Sequence, residues 1–296
     1  MTKTEVTTKR PRHLLARIVT VSGAILGLVL IGAYLLATIY LRTSSAAHRT
    51  SQFLTEYLHH PVTVAGLALT GRTLSINGLT VGNPAAFKGG ELASARSIAI
   101  SPDLSAFLHG RRSFDGIAIR GLRVTVGRNE KGDWNFNELA RLFSGKKGGG
   151  ETTIKRLTIS QSGVAVEGFQ LDNLALNLND LSTKGTTGSR FLLTCKDAGG
   201  NSIRFEGNAR LGAVPAVEVV LAAPMFSLQT IARTFGSKMS PDLGDGRGSL
   251  SLTLKLRDGN LTAEGKLGID HLLLGGKSGR VPVKGELSFA GRYDTG

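Results

Sequence analysis

The side chains that most often carry enzyme chemistry are few in this sequence and poorly placed for it. Its six histidines include one adjacent pair, His59 and His60, and neighbouring residues of an extended chain point to opposite faces, so this pair is a poor metal chelate. Residues 242–246 resemble a calcium loop but lack the third acidic ligand and the closing glutamate. The sequence has neither a G-x-S-x-G elbow nor a P-loop. It therefore predicts no enzyme, no metal site and no cofactor.

The remaining candidates for chemistry are Cys195 and the Asp133-Trp134 pair. A single cysteine excludes an intrachain disulfide and a thiol-rich metal site. Cys195 ends a strand-like apolar run, which favours a buried structural thiol over a reactive one. Asp133 and Trp134 could form a binding spot, but a tryptophan at a strand-to-helix turn more often packs the helix onto the sheet. The sequence therefore indicates a functional surface rather than a reactive centre.

Composition indicates a chain rich in short strands and turns. The 296 residues include 39 glycines, and Val, Ile, Leu and Thr recur in alternation, which favours a mainly β fold with short helices. The formal net charge is +14, but the basic residues are dispersed, with only doublets such as Arg111-Arg112. That dispersal argues against nucleic acid as a partner. It fits either a solvated basic surface or a surface near anionic lipid head groups.

Residues 18–41 form an uncharged apolar run preceded by a basic tail, residues 1–17, with five Lys or Arg and one Glu. As a helix this run would be roughly 36 Å long, enough to cross a hydrocarbon core of about 30 Å. The sequence predicts an uncleaved anchor, although Ser44-Ser45-Ala46-Ala47 is a poor alternative cleavage site. By the positive-inside rule the tail is cytoplasmic and the rest lies across the membrane. In a bacterium this means a single-pass inner-membrane protein whose bulk is periplasmic.

Beyond the anchor, alternation predicts two β-rich regions, 42–143 and 151–296, with the second continuing the sheet of the first and a Gly-rich linker at 144–150 between them. A helix over 46–58 precedes the strands, and Ser101 with Pro102 predicts the start of a helical turn that ends at Leu108. Apolar spacing predicts two more short helices, at 136–143 and 225–235. The last strand-like residues, 281–293, predict a sheet that either ends at an exposed edge or pairs with another chain or segment.

The first region carries apolar residues spaced two apart, which places them on one face of each strand. The candidates for lining such a face are Leu74, Ile76, Ile98, Ile100, Ile117, Ile119, Val124 and Val126. Two interpretations remain open. These residues could line a groove that shields lipid acyl chains, each buried CH₂ contributing about 0.8 kcal/mol. They could equally pack against the short helices as an ordinary core.

The order of these elements resembles the N-terminal part of AsmA-family proteins. A basic tail, one membrane helix and a short helix are followed by Leu74–Val81 (LSINGLTV), the turn Gly82-Asn83-Pro84, residues 95–104 (ARSIAISPDL) and 117–126 (IAIRGLRVTV), and a closing GDWNF at 132–136. The resemblance covers residues 1–143 and is weaker over 151–291. It implies a long, curved, mostly antiparallel sheet forming a groove, as in β-groove lipid-transfer proteins, and it brings no catalytic residues.

From the residues and this resemblance together, we expect an inner-membrane-anchored periplasmic protein that takes part in lipid transport or outer-membrane biogenesis. Its expected partners are the membrane, phospholipid acyl chains and envelope proteins. The alternative is a non-catalytic envelope scaffold that binds a partner through its sheet edge. With about 12 to 16 strands at a spacing of about 4.8 Å, the sheet would run roughly 60 to 80 Å. That length favours a partial groove over a complete bridge.

Overall fold

A computed structural model describes residues 34–87, 90–137, 150–166, 169–197, 199–211, 215–228, 246–257, 259–276 and 279–294. Within them the chain is mainly β with few short helices, which confirms the predicted fold class at this level. The predicted anchor at 18–41 lies outside the described residues except for its last eight, 34–41, which are helical. In the described part, no helix has the length and apolar content needed to cross a membrane.

Besides the helical residues 34–41, the described part of the chain contains two short helices and thirteen strands. The helices are α1 (Ser44–Leu58) and α2 (Leu104–Leu108). The strands of the first region are β1 (Val62–Thr70), β2 (Thr73–Gly82), β3 (Glu91–Pro102), β4 (Arg112–Arg120) and β5 (Arg123–Val126). Those of the second are β6 (Thr152–Val166), β7 (Phe169–Ser182), β8 (Ser189–Asp197), β9 (Ser202–Arg210), β10 (Ala216–Ser227), β11 (Arg247–Arg257), β12 (Asn260–Gly276) and β13 (Gly279–Asp294).

All thirteen strands belong to one sheet, in the order β1-β2-β3-β4-β6-β7-β8-β9-β10-β11-β12-β13. Neighbours pair antiparallel except at β6, which runs parallel to β4 and to β5. β5 also pairs with β3, so β4 and β5 occupy successive parts of one position between β3 and β6. The sheet therefore runs without a break from the first region into the second.

The parallel pairing determines at which end of the strands each connection between strands lies. β4 and β6 both begin at the edge that holds the β1–β2 turn, since Leu74 pairs with Ile100, Ile100 with Ile117, and Ile117 with Leu157. We call the strand ends on this side of the sheet the near edge, and those on the opposite side, at the β2–β3 connection, the far edge. Both names refer to strand ends and not to the edge strands β1 and β13. β5 ends at the far edge, so the chain between β5 and β6 returns to the near edge. The predicted linker at 144–150 belongs to this connection, and all of it except Gly150 lies outside the described residues.

Helix α1 packs on the first two strands and protects the free side of β1. Ala46 and Ala47 are buried against Val64 and Leu67. Two hydroxyls of α1 accept hydrogen bonds from β1, Ser51 Oγ from the Val64 N–H and Thr55 Oγ1 from the Val62 N–H, both at 2.9 Å. These N–H groups would otherwise be open donors on an edge strand, which is a template for unwanted pairing.

Left-handed backbone positions interrupt the alternation at several points in the sheet. Gly121, at φ 67°, separates β4 from β5, and opposite it Gln161 of β6 takes φ 53°. The register of β6 with β7 shifts at this point. A residue in this conformation changes which face the following side chains point to, and it increases local twist. Val124 and Val126 therefore follow a break in the pattern that carries Ile117 and Ile119.

Two helix predictions were wrong in their details. α2 begins at Leu104, and its N-cap is Asp103, whose Oδ1 accepts from the Ala106 N–H at 3.1 Å. Pro102 is instead the last residue of β3, because that strand pairs with β4 as far as Phe114. At 225–235, the first residues are the end of β10, since Phe226 pairs with Gly248 of β11. The rest of that segment and most of the predicted helix at 136–143 lie outside the described residues.

Candidate functional site

One face of the sheet is apolar from its first strand to its last. Residues directly opposite each other in a ladder point to the same face, so the register shows which side chains form continuous rows. Row A consists of Leu67, Ile76, Ile98, Ile119, Ile159, Leu176, Leu193, Phe205, Leu221, Leu252, Gly265 and Phe289. Each member pairs with the next. The row crosses all twelve strand positions of the sheet.

A second row lies two residues away on every strand, on the same face and nearer the near edge. Row B consists of Leu69, Leu74, Ile100, Ile117, Leu157, Leu178, Phe191, Gly207, Val219, Leu254, Ala263 and Gly291. Twelve strand positions at a spacing of about 4.8 Å make each row roughly 50 Å long. We call the two rows together the apolar face.

The opposite face differs sharply in character. The row between A and B on that side is Ser75, Ala99, Ala118, Thr158, Asn177, Leu192, Glu206, Val220, Thr253, Glu264 and Ala290. Polar, charged and small residues dominate it, with Leu192 and Val220 as the larger apolar members. The sheet is therefore two-faced, and its apolar face requires some form of cover from water.

That face is only partly covered in the described part of the chain. Among the described members of rows A and B the buried side chain is Leu67, which lies under α1, is 7% exposed and joins a core with Val64, Ala46 and Ala47. On the same face, towards the far edge, Cys195 and Ala223 are also buried. From Ile98 in β3 to Leu252 in β11, every row A side chain is half-buried rather than buried. Sheet neighbours alone produce such values, because each side chain still has one side open. The described residues place no second layer over this stretch.

A glycine in row A is covered by a neighbouring aromatic ring. A Cβ at Gly265 would lie 2.5 Å from Cζ of Phe289, so the Phe289 ring occupies the space that a side chain would fill. Gly248 has the same arrangement with Phe226, whose Cζ would lie 2.5 Å from an added Cβ. Aromatic rings over sheet glycines keep an apolar surface continuous where the backbone lacks side chains. The apolar face thus has no gap at this point.

The eight predicted lining residues fall into two groups. Row A contains Ile76, Ile98 and Ile119, and row B contains Leu74, Ile100 and Ile117. Val124 and Val126 are not in either row, because both rows pass through β4 at this position of the sheet and these two residues lie in β5, nearer the far edge. Val124 instead pairs with Ala93 and Val164, in a row that begins at Val62 and Val81 beside the end of α1. All eight side chains are half-buried.

Sequence reasoning missed the members of the rows in the second region. Leu157 and Ile159, Leu176 and Leu178, and Leu252 and Leu254 show the same two-residue spacing that marked the first region. The signal was therefore present. What it could not provide was the pairing of Ile119 with Ile159, which joins the two regions into one face.

The near edge carries a network of ion pairs beside row B. Lys155 Nζ lies 3.0 Å from Asp103 Oδ2 and 2.7 Å from Asp115 Oδ1, and Arg72 Nη2 lies 3.1 Å from Asp115 Oδ2. The Ala106 N–H and Lys155 lower the pKa of Asp103 below its usual value, and the two carboxylates raise the pKa of Lys155. These charges lie close to Thr73 and Phe114, where the apolar rows end. They mark a charged boundary of the apolar face at the near edge.

Cys195 and Asn135 have structural roles. Cys195 is 3% exposed, which confirms the predicted buried thiol, and burial followed by the charge of Asp197 raises its pKa. Asn135 is 2% exposed at the far edge, where its Nδ2 donates to Asn83 Oδ1 at 2.9 Å and to the Thr125 carbonyl at 2.8 Å. Trp134 stacks with the Arg128 guanidinium, 4.1 Å from the ring centroid. Among the described residues, no three His, Cys, Asp or Glu side chains group as metal ligands would.

No protein-family model matches this chain, and no curated protein matches it. Its function therefore has to be argued from the apolar face itself.

Proposed function

We propose that this protein is an AsmA-like, membrane-anchored periplasmic protein whose apolar face forms a groove that holds phospholipid acyl chains. The observation that carries the proposal is the continuity of rows A and B across the whole sheet, with side chains that stay half-buried from β3 to β11. A soluble domain normally buries such a surface under a second layer. An acyl chain is a suitable alternative cover, because it contributes about 0.8 kcal/mol for every CH₂ removed from water.

The dimensions of the apolar face suit such a ligand. The acyl chains of one leaflet span about 15 Å, half of the roughly 30 Å hydrocarbon core. Rows of roughly 50 Å therefore have room for about three chain lengths end to end. The left-handed positions at Gly78, Gln161 and Asn173 increase twist and bend the strands, which favours a concave sheet. The resemblance of residues 1–143 to AsmA-family proteins supports the same reading.

A site-specific photo-crosslinker tests this proposal on the full-length chain in native membranes. We would place benzoyl-phenylalanine at Ile119 in row A and, as the matched control, at Ala118 on the opposite face. A groove predicts a phospholipid adduct at position 119, identified by mass spectrometry, and little or none at 118. Adducts at 119 only with other parts of the same chain would show an ordinary protein core and refute the proposal.

A second candidate function is a scaffold that recruits an envelope protein through strand addition. The observation that favours it is β13, a 16-residue strand that pairs only with β12 among the described residues. Its Leu287 and Tyr293 are 59% and 67% exposed, and β1 at the other end of the sheet is protected by α1. Long unpaired edges accept additional strands. Proline at Ser288 and Ala290 should abolish partner capture while leaving the lipid adduct at 119 intact.

A further inference from the structure

The helical segment 34–41 docks directly on the near edge of the sheet. Tyr34 Oη accepts a hydrogen bond of 3.0 Å from the Gly71 N–H in the β1–β2 turn. Leu41, at the other end of the segment, packs against the buried cluster formed by α1 and β1. The segment therefore lies along the near-edge half of β1. The turn at Gly71 lies at the level of Tyr34. Because Tyr34 belongs to the predicted anchor, the turn lies at the level of the anchor and not beyond it.

Helix α2 lies at this same level. Leu74 pairs with Ile100, and Thr73 Oγ1 lies 2.8 Å from Ser101 Oγ, so the end of β3 reaches the near edge beside the Gly71 turn. α2 follows directly and projects past this edge. Adjacent strands of a sheet are rotated by roughly 20 to 25° relative to each other. Only the first few strands therefore have their near-edge ends pointing in the same direction as the end of the 34–41 segment at Tyr34.

The exposed surface of α2 is apolar to an unusual degree. Leu104 is 54% exposed, Phe107 44% and Leu108 87%. The Phe107 ring packs edge-to-face against Phe114, with the ring centroids 5.7 Å apart. This contact holds the Phe107 ring in one orientation on the exposed surface of α2. The segment 34–41, which docks on the same edge, is also apolar, with Leu36 70% exposed. Exposed apolar groups of this kind mark a contact with a membrane or another molecule.

Basic groups surround this apolar surface. Arg111 and Arg112 follow α2 and are exposed, and Arg72 lies in the adjacent turn. The acidic groups facing them are Asp103 and Asp115: Lys155 binds both, and Arg72 also pairs with Asp115. Four basic side chains thus face two acidic ones. An apolar tip within a basic rim matches the boundary between acyl chains and anionic head groups.

We infer that α2 and the Gly71-Arg72 turn insert into the surface of the anionic bilayer that holds the anchor, with Leu104, Phe107 and Leu108 among the acyl chains. This inference rests on the proposed membrane anchor and lipid groove. It places row B, through Leu74, Ile100 and Ile117, next to the bilayer surface. Lipid would therefore reach the apolar face at its near edge, between β2 and β4.

The experiment measures the depth of single fluorophores on the full-length chain in phosphatidylethanolamine–phosphatidylglycerol vesicles. Cys195→Ala provides the background, and an NBD label is attached to a cysteine at Leu108, Leu36 or Lys131. Leu108 is almost fully exposed, so its replacement leaves packing intact, and Lys131 is an exposed control at the far edge. We expect lipids brominated near the head group to quench the label at 108 at least twofold more than the label at 131, with blue-shifted emission. Charge reversal by Arg111→Glu and Arg112→Glu should reduce quenching at 108 and leave quenching at 36 unchanged.

The outcomes separate this inference from the proposed function. Strong quenching at 36 with equal, weak quenching at 108 and 131 would overturn the inference alone, and a lipid adduct at Ile119 would then still support the groove. Absence of quenching at both 36 and 108 would overturn the membrane placement and the inference with it. Quenching at 108 that is the same in phosphatidylcholine vesicles and survives charge reversal would overturn the role of the basic rim.

Discussion

A carboxylate in the middle of row A should expel lipid from the apolar face, and the chain offers an unusually well matched control for this test. Leu193 lies in row A between Leu176 and Phe205, whereas its neighbour Leu192 lies on the opposite face between Asn177 and Glu206. Both leucines are half-buried. Leu193→Asp and Leu192→Asp therefore introduce the same group at adjacent positions. Only the face differs.

The expected penalty follows from two contributions. Losing the leucine contact with an acyl chain costs about 2 kcal/mol. An aspartate of ordinary pKa near 3.9 has to be protonated before it can contact the acyl chain as a neutral group. This protonation costs about 4 kcal/mol at pH 7 and about 1.5 kcal/mol at pH 5. The sum of about 6 kcal/mol at pH 7 is an upper bound, because a lipid that slides along the row avoids part of it. Burial against lipid raises the pKa of the aspartate, so lipid binding recovers as the pH falls.

The assay measures the apparent Kd of an NBD-labelled phospholipid for the detergent-solubilised full chain, together with the moles of phospholipid that co-purify. Leu193→Asp should weaken binding by at least a factor of 100 at pH 7 and recover by up to about that factor at pH 5, since about 2.7 kcal/mol of the penalty disappears. Leu193→Asn should be weak at both pH values, and Leu192→Asp should bind as the native chain does. Equal loss in both aspartate variants, or a loss at 193 without recovery at pH 5, would refute a lipid-lined row A.

Four further predictions concern stability and reactivity. Leu92→Ala, at a site 2% exposed in the core beside α1, should lower the free energy of unfolding by about 2 to 5 kcal/mol in denaturant titrations, whereas Leu108→Ala should change it by less than about 0.5 kcal/mol. Ser51→Ala leaves the buried Val64 N–H without its acceptor, so we expect a loss of about 1 to 3 kcal/mol by the same measurement. Cys195 should react with iodoacetamide only in denaturant, because burial both shields the thiol and raises its pKa. Hydrogen bonds from Ser182 and Thr186 hold the pKa of Glu151 below its usual value. The stabilisation that Glu151→Gln removes should therefore be present in thermal melts above the ordinary glutamate pKa and vanish as the pH falls through the lowered pKa.

Each of these has an outcome that contradicts it. Equal effects of Leu92→Ala and Leu108→Ala would show that the core beside α1 is not the stabilising one. A neutral Ser51→Ala would mean that water replaces the hydroxyl on β1. Rapid alkylation of native Cys195 would show that β8 opens readily, and a melting difference at Glu151 that grows in acid would reverse the assigned direction of its pKa.

Much of the fold could be predicted from alternation alone. Residues such as Ile98 and Ile100 repeat at a spacing of two, a local property that any extended strand expresses on one face. The prediction of a mainly β fold is therefore confirmed. The helix prediction at 46–58 came within two residues of α1. Boundaries at Pro102 and Met225 were wrong because strand pairing with a neighbour outweighed local helix signals. Pairing partners are not visible in the local sequence.

The candidate site was predicted in part for the same reason. Six of the eight lining residues lie in rows A and B, whereas Val124 and Val126 lie in β5, beyond Gly121, in a separate row. A glycine in a strand pattern signals a possible break without saying that one occurs. The opposing break at Gln161 carries no sequence signal, since a non-glycine residue rarely takes a positive φ.

By itself the sequence determined that the strands are two-faced, that the chain has one thiol and no intrachain disulfide, and that a charged tail precedes an apolar run of membrane length. Each of these depends on residues that are neighbours in the chain. Tertiary structure alone decided that Ile119 pairs with Ile159 and Leu193 with Phe205, so that separate stripes become one face. It also decided that Tyr34 meets Gly71 and that α2 stands beside them. These are contacts between distant residues, set by hydrogen-bond register, and no local spacing specifies them.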